Sequence, residues 1–374
     1  MRVIETPVGP IWAISSAAGL GRVAPTNLCC MRILLTGAAG FIGGHIWTAL
    51  NDAGHDVVPV DAMLPLAHGQ GAATPAGVRR LDVRDADALA EALQDVDVVC
   101  HQAAMVGAGV DAADAPKFAT HNDFGTAVLL AAMAEARCTR LVLASSMVVY
   151  GSGRYVCPQH GDVEPEPRRR EDLDAGIFDS ACPHCARRVD WALVDEDAPL
   201  RPRSTYAASK LAQENYALAW TLATGGSVTA LRYHNVYGEH MPRDTPYSGV
   251  AAIFRSSLEA GHAPRVFEDG GQARDFVHVR DVAQANRLAA EAGLQGFQAF
   301  NVCSGTPVTI GEVAATLARA HGGPEPVTTG QYRSGDVRHV VADPARAAEV
   351  LGFRAAVAPE QGIGEFAHAP LRSS

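Results

Sequence analysis

The sequence predicts an α/β fold, a doubly wound parallel sheet joined to a smaller C-terminal lobe. Short apolar runs alternate with helical ones. A glycine triplet follows the first of these runs and opens a helix. The runs are continuously apolar, as in strands buried on both faces, rather than alternating apolar with polar. With 374 residues, the chain is long enough for one large domain or two modest ones.

Residues 1–30 hold a single Arg near the start, an apolar stretch broken by Gly and Pro, and no small-x-small cleavage site. A disordered leader is expected there rather than a signal peptide. From Met31 the pattern becomes regular. Strands are expected over 32–36, 56–60, 96–101 and 140–145, then 227–233 and 300–302. Helices are expected between them, for example over 86–93 and 122–136. This assigns residues 31–240 to a dinucleotide-type domain. Residues 241–374 form mainly a substrate lobe, with some segments returning to the sheet, at the strand ends where open α/β sheets bind ligands. Residues 153–203, rich in charge, Pro and Cys and without a clear period, read as an insertion.

A formal net charge of −10 without a long basic run argues against nucleic acid or anionic membrane as partner. No stretch approaches the roughly 20 apolar residues of a membrane-spanning helix. The eight cysteines are scattered, several inside apolar runs, which does not suit a secreted disulfide framework. A cytoplasmic location is expected.

Gly37-Ala38-Ala39-Gly40-Phe41-Ile42-Gly43 follows the first strand and opens a helix. A tight turn there lets backbone approach a pyrophosphate at a helix N-terminus. The spacing is G-x-x-G-x-x-G, and context strengthens it: strand before, helix after, and Asp61 closing the second strand. A carboxylate at that place accepts hydrogen bonds from adenosine ribose hydroxyls and repels a 2'-phosphate, so NAD is favoured over NADP. Asp82 and Val83 are expected to flank the adenine. Ala103 and Ala104 suit close passage of the cofactor.

Tyr206 and Lys210 stand four apart, on one helical face. A free phenol titrates near pH 10, and a neighbouring ammonium with a positive nicotinamide lowers that value. The phenolate then takes the proton of a sugar hydroxyl while hydride leaves the same carbon. Ser146, in the run Ala144-Ser145-Ser146-Met147-Val148-Val149-Tyr150-Gly151, offers a hydroxyl to the reacting oxygen.

Together with residues 231–238 (LRYHNVYG) and 274–279 (RDFVHV), these motifs resemble the extended short-chain dehydrogenase/reductase family. The closest branch is that of the NAD-dependent sugar-nucleotide epimerases and dehydratases, with its Rossmann-type sheet. The resemblance runs from Met31 to about Phe353, apart from the insertion. It implies Ser146, Tyr206 and Lys210 as catalytic trio, and Asn122, before Gly125-Thr126, near the cofactor. It implies substrate contacts at Met105, Asn235, Val266, Arg274, Arg333 and Asp336, the arginines suiting phosphate oxygens. It also implies a homodimer joined through the helices that begin near Asn122 and Tyr206. His234 departs from the family's aromatic or hydrophobic residue beside the nicotinamide and is expected to pack there.

Dehydratases of this branch carry an Asp-Glu pair after the catalytic hydroxyl, whereas Met147 and Val148 stand here and transfer no protons. The expectation is therefore a 4-epimerase of a nucleotide-diphosphate sugar. A dehydratase or oxidoreductase of the same family is the alternative; a non-catalytic NAD sensor is the alternative from another class.

Within the insertion, Cys157-Pro158-Gln159-His160 and Cys182-Pro183-His184-Cys185 form C-x2-H and C-x2-C half-sites. Three thiolates and one imidazole suit a tetrahedral structural zinc held by Cys157, His160, Cys182 and Cys185, with His184 as the alternative to His160. Such a segment, capping the sugar pocket, resembles one in bacterial deoxythymidine-diphosphate-rhamnose 4-epimerases.

Overall fold

In the computed structural model, residues 30–107, 111–243, 249–333 and 335–372 are described. The expected leader therefore lies almost wholly outside the described residues.

Seven parallel strands form the central sheet: β1 (Arg32–Thr36), β2 (Asp56–Asp61), β3 (Arg79–Arg80), β4 (Val98–His101), β5 (Arg140–Ser146), β6 (Ser227–Tyr233) and β7 (Phe297–Val302). Their spatial order is β7-β6-β5-β4-β1-β2-β3. The order reverses between β1 and β4, which opens a crevice at their C-terminal ends.

Helices cover both faces. Ile33 and Leu35 of β1 and Val142 of β5 pack with α1 (Phe41–Asp52) and α5 (Val279–Glu291). Leu34, Leu141 and Leu143 point the other way, toward α2 (Ala86–Ala92), α3 (Gly125–Glu135) and α4 (Thr205–Thr224). The period of two in the strands thus becomes two separate apolar layers, as continuous apolar runs require.

The helix expected over 122–136 is present through Glu135 and starts earlier, with a π-helical first part. Residues 119–124 form a π-helical turn before α3 begins at Gly125. That wider turn carries Asn122 fully buried, and such turns often sit at functional sites.

Ser204 starts α4 by accepting from the Ala207 N–H, and Gly225 ends it in the left-handed conformation. The helix is then bolted to the sheet by buried charge. Glu214 takes two hydrogen bonds from Arg232 of β6, at 3.0 and 2.8 Å, and one from Ser145. Arg232 also donates to the Tyr150 hydroxyl at 2.9 Å and the Glu196 carbonyl at 3.0 Å.

The smaller lobe has its own core, with Phe254, Phe276, Leu317 and Phe366. It is built on a three-stranded sheet of Asn235–Tyr237, Ala273–His278 and Pro307–Thr309. Residues 279–302 return to the central sheet as α5 and β7. The insertion folds as a three-stranded antiparallel sheet, Arg154–Cys157, Gly161–Val163 and Asp190–Ala192, over a core of a few side chains around Tyr155 and Val189.

Candidate active site

A cleft of about 680 Å³, open to solvent, lies at the β1/β4 reversal and is lined by Gly37, Gly40, Asp61, Asp82, Val83, Ala103, Ala104 and Met105 among others. Gly37 has φ +69°, and a Cβ there would meet the Ala103 nitrogen at 2.8 Å. A Cβ on Gly43 would lie 2.0 Å from the Gly37 carbonyl. Both glycines are therefore required by close backbone approach, which leaves the first-turn N–H groups of α1 facing the cleft. Phe41 and Ile42 pack partly buried against the two cores.

Asp61 is buried, and its carboxylate accepts from Ala39 N–H at 3.1 Å and Met63 N–H at 2.8 Å, with His68 Nε2 at 3.2 Å. Burial pushes its pKa up, but the hydrogen bonds from His68, Met63 and Ala39 outweigh it and hold the carboxyl below its usual range. Asp82 is committed to Arg84, which grips both its oxygens at 2.9 and 2.6 Å and lowers its pKa. Sequence spacing missed a further cation. Arg372, more than 300 positions away, donates to the carbonyls of Ala39 at 2.9 Å and Ala67 at 3.1 Å, bridging two walls of the cleft.

At the end of β5, Ser146 stands beside Tyr206, and the Tyr206 ring packs 5.6 Å from that of Phe118. Lys210 Nζ donates to the Ala144 carbonyl at 3.0 Å. Burial pushes the Tyr206 phenol up to about 12, with only Ser146 opposing, and the lysine does not lower it. The reason is that the ammonium is itself buried and turned to a carbonyl. Burial pushes Lys210 down to about 8, against the pull of Glu214 and Asp123.

The Asn122 amide bonds the backbone of Met105, at 2.7 and 2.9 Å, and the Ser209 hydroxyl at 2.9 Å. All of it is used within the protein, so it positions the Met105 loop against α4 rather than presenting a free group to a cofactor. His234 is buried and neutral, with burial pushing it down to about 3. Neither ring nitrogen has a partner among the described residues, since the nearby Asn301 amide is committed to Tyr150, Val194 and Asp343.

The residues expected at the substrate diphosphate are only partly free. Asn235 donates to the Asp275 carbonyl at 2.9 Å. Arg274, expected to bind phosphate, gives its guanidinium to the carbonyls of Ala273 at 2.9 Å, Arg338 at 2.8 Å and Val337 at 2.5 Å. Burial pushes it down to about 10, and carbonyls are the acceptors within reach. Val266 is a buried strand residue paired with Thr328. Arg333 and Asp336 lie exposed on one loop, with the Arg333 guanidinium 5.3 Å from the centre of the Phe267 ring.

The insertion gathers Cys157, His160, Cys182 and Cys185, their ligand atoms all within 4.8 Å of one another. His160 Nδ1 lies 3.6 Å from Cys157 Sγ and 3.4 Å from Cys182 Sγ, and Cys157 Sγ lies 3.7 Å from Cys185 Sγ. The edge of a tetrahedron is about 1.63 times its centre-to-vertex length, so zinc–sulfur bonds of about 2.3 Å require edges of about 3.8 Å. The three separations above are close to that length, and the histidine of the group is His160 rather than His184.

A doubly wound sheet with a glycine turn, an acidic residue closing β2, and a Ser-Tyr-Lys group beside the crevice defines a dinucleotide-dependent enzyme class. The chain belongs to the NAD dependent epimerase/dehydratase family, whose pattern matches residues 33–171 and 188–303. It is 33% identical over 345 residues to the dTDP-L-rhamnose 4-epimerase of Burkholderia thailandensis, covering 90% of this chain and 93% of that one. It is also 33% identical over 344 residues to the UDP-glucose 4-epimerase of Mycolicibacterium smegmatis, covering 90% and 97%. Among solved structures, the Thermotoga maritima UDP-glucose 4-epimerase with UDP-glucose superimposes with a TM-score of 0.73 at 27% identity, covering 90% of this chain and 97% of that one. The Thermus thermophilus UDP-glucose 4-epimerase with NAD gives 0.69 at 31% identity, covering 90% and 98%.

The depressed lysine makes a stability prediction. Between pH 8 and 10.5 the unfolded chain binds a proton at Lys210 that the folded chain does not, so this residue's contribution to stability rises with pH through that window, while the buried Cys100 and Cys303 thiols, held protonated in the fold, contribute in the opposite sense. Urea unfolding of cofactor-stripped protein at pH 7.5, 9 and 10 is expected to give the wild-type protein a more positive slope of stability against pH than Lys210→Met. Parallel slopes in the two proteins exclude a buried ammonium.

Proposed function

We propose that this protein is an NAD-dependent 4-epimerase of a nucleoside-diphosphate sugar. The observation that carries this reading is the pair of apolar residues after Ser146. Met147 lies against Asn235, with its sulfur 3.7 Å from the amide nitrogen, and Val148 closes the turn through its N–H to Ser146 Oγ. Elimination of water needs an acid and a base of its own there, and neither side chain transfers a proton. The similarity to 4-epimerases of dTDP-L-rhamnose and UDP-glucose supports the same reaction.

The cleft fits NAD: the glycine cradle, the α1 N-terminus and the charged Asp61 suit a pyrophosphate and an unphosphorylated ribose. When bound, NAD supplies the place where the C4 hydride is held and the positive charge that favours phenolate. Ser146 holds the C4 hydroxyl while Tyr206 takes its proton at the phenolic oxygen. Lys210, one turn further along α4, anchors the helix to the Ala144 carbonyl and so keeps Tyr206 in place. The ketone turns over in the site and the proton returns from Tyr206 once hydride has been restored on the opposite face. Asn122 keeps α4 and the Met105 loop in register throughout.

Cys157, His160, Cys182 and Cys185 hold a structural zinc in this reading, which compensates for the small apolar core of the insertion. A second copy of the chain covers Phe124, Leu218 and Leu222, apolar side chains that stand 54%, 41% and 79% exposed beside the α3/α4 pair.

Incubation with UDP-, dTDP- and GDP-sugars is expected to yield C4-inverted product by NMR, with Tyr206→Phe lowering turnover by about 10²–10⁴-fold while NAD stays bound. A keto-sugar product, or a Tyr206→Phe protein of normal rate, overturns the mechanism. Metal analysis is expected to find about one zinc per chain, lost in Cys182→Ser together with thermal stability. Metal-free protein of unchanged stability removes the zinc. Light scattering is expected to give twice the chain mass, and Leu222→Glu to halve it; a monomer in both cases removes the dimer.

A further inference from the structure

We propose that the insertion sets nucleotide affinity and selectivity by gripping the loop over residues 332–338, which presents Arg333 and Asp336 to the substrate. This rests on reading the chain as a nucleoside-diphosphate-sugar enzyme and adds a role for residues outside the catalytic centre.

The grip comes from several insertion residues. The Tyr332 hydroxyl donates to Asp174 at 2.5 Å. Arg168 donates to the Asp336 carbonyl at 2.6 Å and to the Phe178 carbonyl at 3.2 Å, and pairs with Glu268 of the lobe at 2.8 Å. Asp179 accepts from Arg338 Nε at 2.9 Å, while the Arg338 guanidinium lies 5.9 Å from the centre of the Phe178 ring. At the root of the insertion, the Tyr155 hydroxyl accepts from the His339 N–H at 3.3 Å.

The lobe holds the same loop from its other side. Arg338 pairs with Glu268 at 2.8 Å and with both oxygens of Asp269, at 2.7 and 2.8 Å. Arg274 bonds the carbonyls of Val337 and Arg338. Arg338 and Glu268 are almost fully buried, so losing one partner strands a charge away from water.

Positions 336, 338 and 339 are thus fixed through backbone or buried contacts and position 332 through its hydroxyl, while the side chains of Arg333 and Asp336 remain exposed. A guanidinium lying over the Phe267 ring offers charge to a diphosphate and a flat face to a nucleobase. A carboxylate beside it accepts from ribose hydroxyls or base N–H groups. Preorganised groups bind with less loss of freedom, so tightening their loop raises affinity without any contact of its own to the ligand. The family pattern passes over residues 172–187, so Asp174, Phe178 and Asp179 belong to this chain's addition rather than to the shared frame.

The test is calorimetric titration of holoenzyme with UDP, dTDP and GDP, alongside kcat and KM for the sugar that turns over. Arg168→Gln is expected to weaken the tightest of the three about 10-fold and Tyr332→Phe about 3-fold, the scale of one or two lost hydrogen bonds. Both are expected to alter the ratio of affinities among the three nucleotides and to raise KM, with kcat and NAD content unchanged. Tyr332→Phe removes a single surface oxygen and so reports even where Arg168→Gln folds poorly. Unchanged affinities and ratios in both variants overturn the proposal, as does a loss confined to kcat or NAD content. Wild-type protein that binds none of the three nucleotides instead overturns the functional reading on which it rests.

Discussion

The docking of α4 across the end of β5 is the constraint on which the rest of the site depends. Lys210 reaches the Ala144 carbonyl, and one turn further on Glu214 is held by Ser145 and Arg232. These groups are almost wholly shielded from water, so each charge is tolerable only while its partners stay in place. The helix therefore cannot slide along the sheet without stranding a charge. Tyr206, one turn before Lys210, is thereby held against Ser146 at the strand end. The placement of this candidate catalytic pair is a consequence of a buried electrostatic lock.

That lock also shapes the chemistry. Packing α4 tightly enough to fix Tyr206 removes water from its phenol, and removal of water raises the pKa of a neutral acid and lowers that of an ammonium. The same burial acts on both residues in opposite senses, toward about 12 and about 8. The cleft beside them is built by backbone: glycines that admit no side chain, a helix N-terminus, and an Asp61 whose hydrogen bonds hold its carboxyl below the usual range. Arg372 closes over it from the far end of the described chain.

The insertion obeys a different logic. Its apolar core is small, with a Cys157-His160-Cys182-Cys185 cluster on one side and ion pairs with the smaller lobe on the other. It thus joins β5, which carries Ser146, to the loop that carries Arg333. A segment spliced between the strand and the helix of the reactive centre is in this way tied to the far end of the candidate substrate site.

Much of this was legible in the sequence, because its signals are local. Continuous apolar runs fix strands buried on both faces, a glycine triplet after a strand fixes the turn, and Tyr206 and Lys210 at helical spacing fix their shared face. Even the two knuckles of the insertion are visible as spacings. Tertiary structure alone decided how polar groups were spent. Asn122 gave its amide to Met105 and Ser209, Arg274 gave its guanidinium to carbonyls, His160 rather than His184 completed the sulfur cluster, and Arg372 arrived at the cleft. Spacing along a chain determines which residues can share a face. Which donor meets which acceptor depends on segments tens to hundreds of residues apart being brought to hydrogen-bonding distance, and no local pattern encodes that.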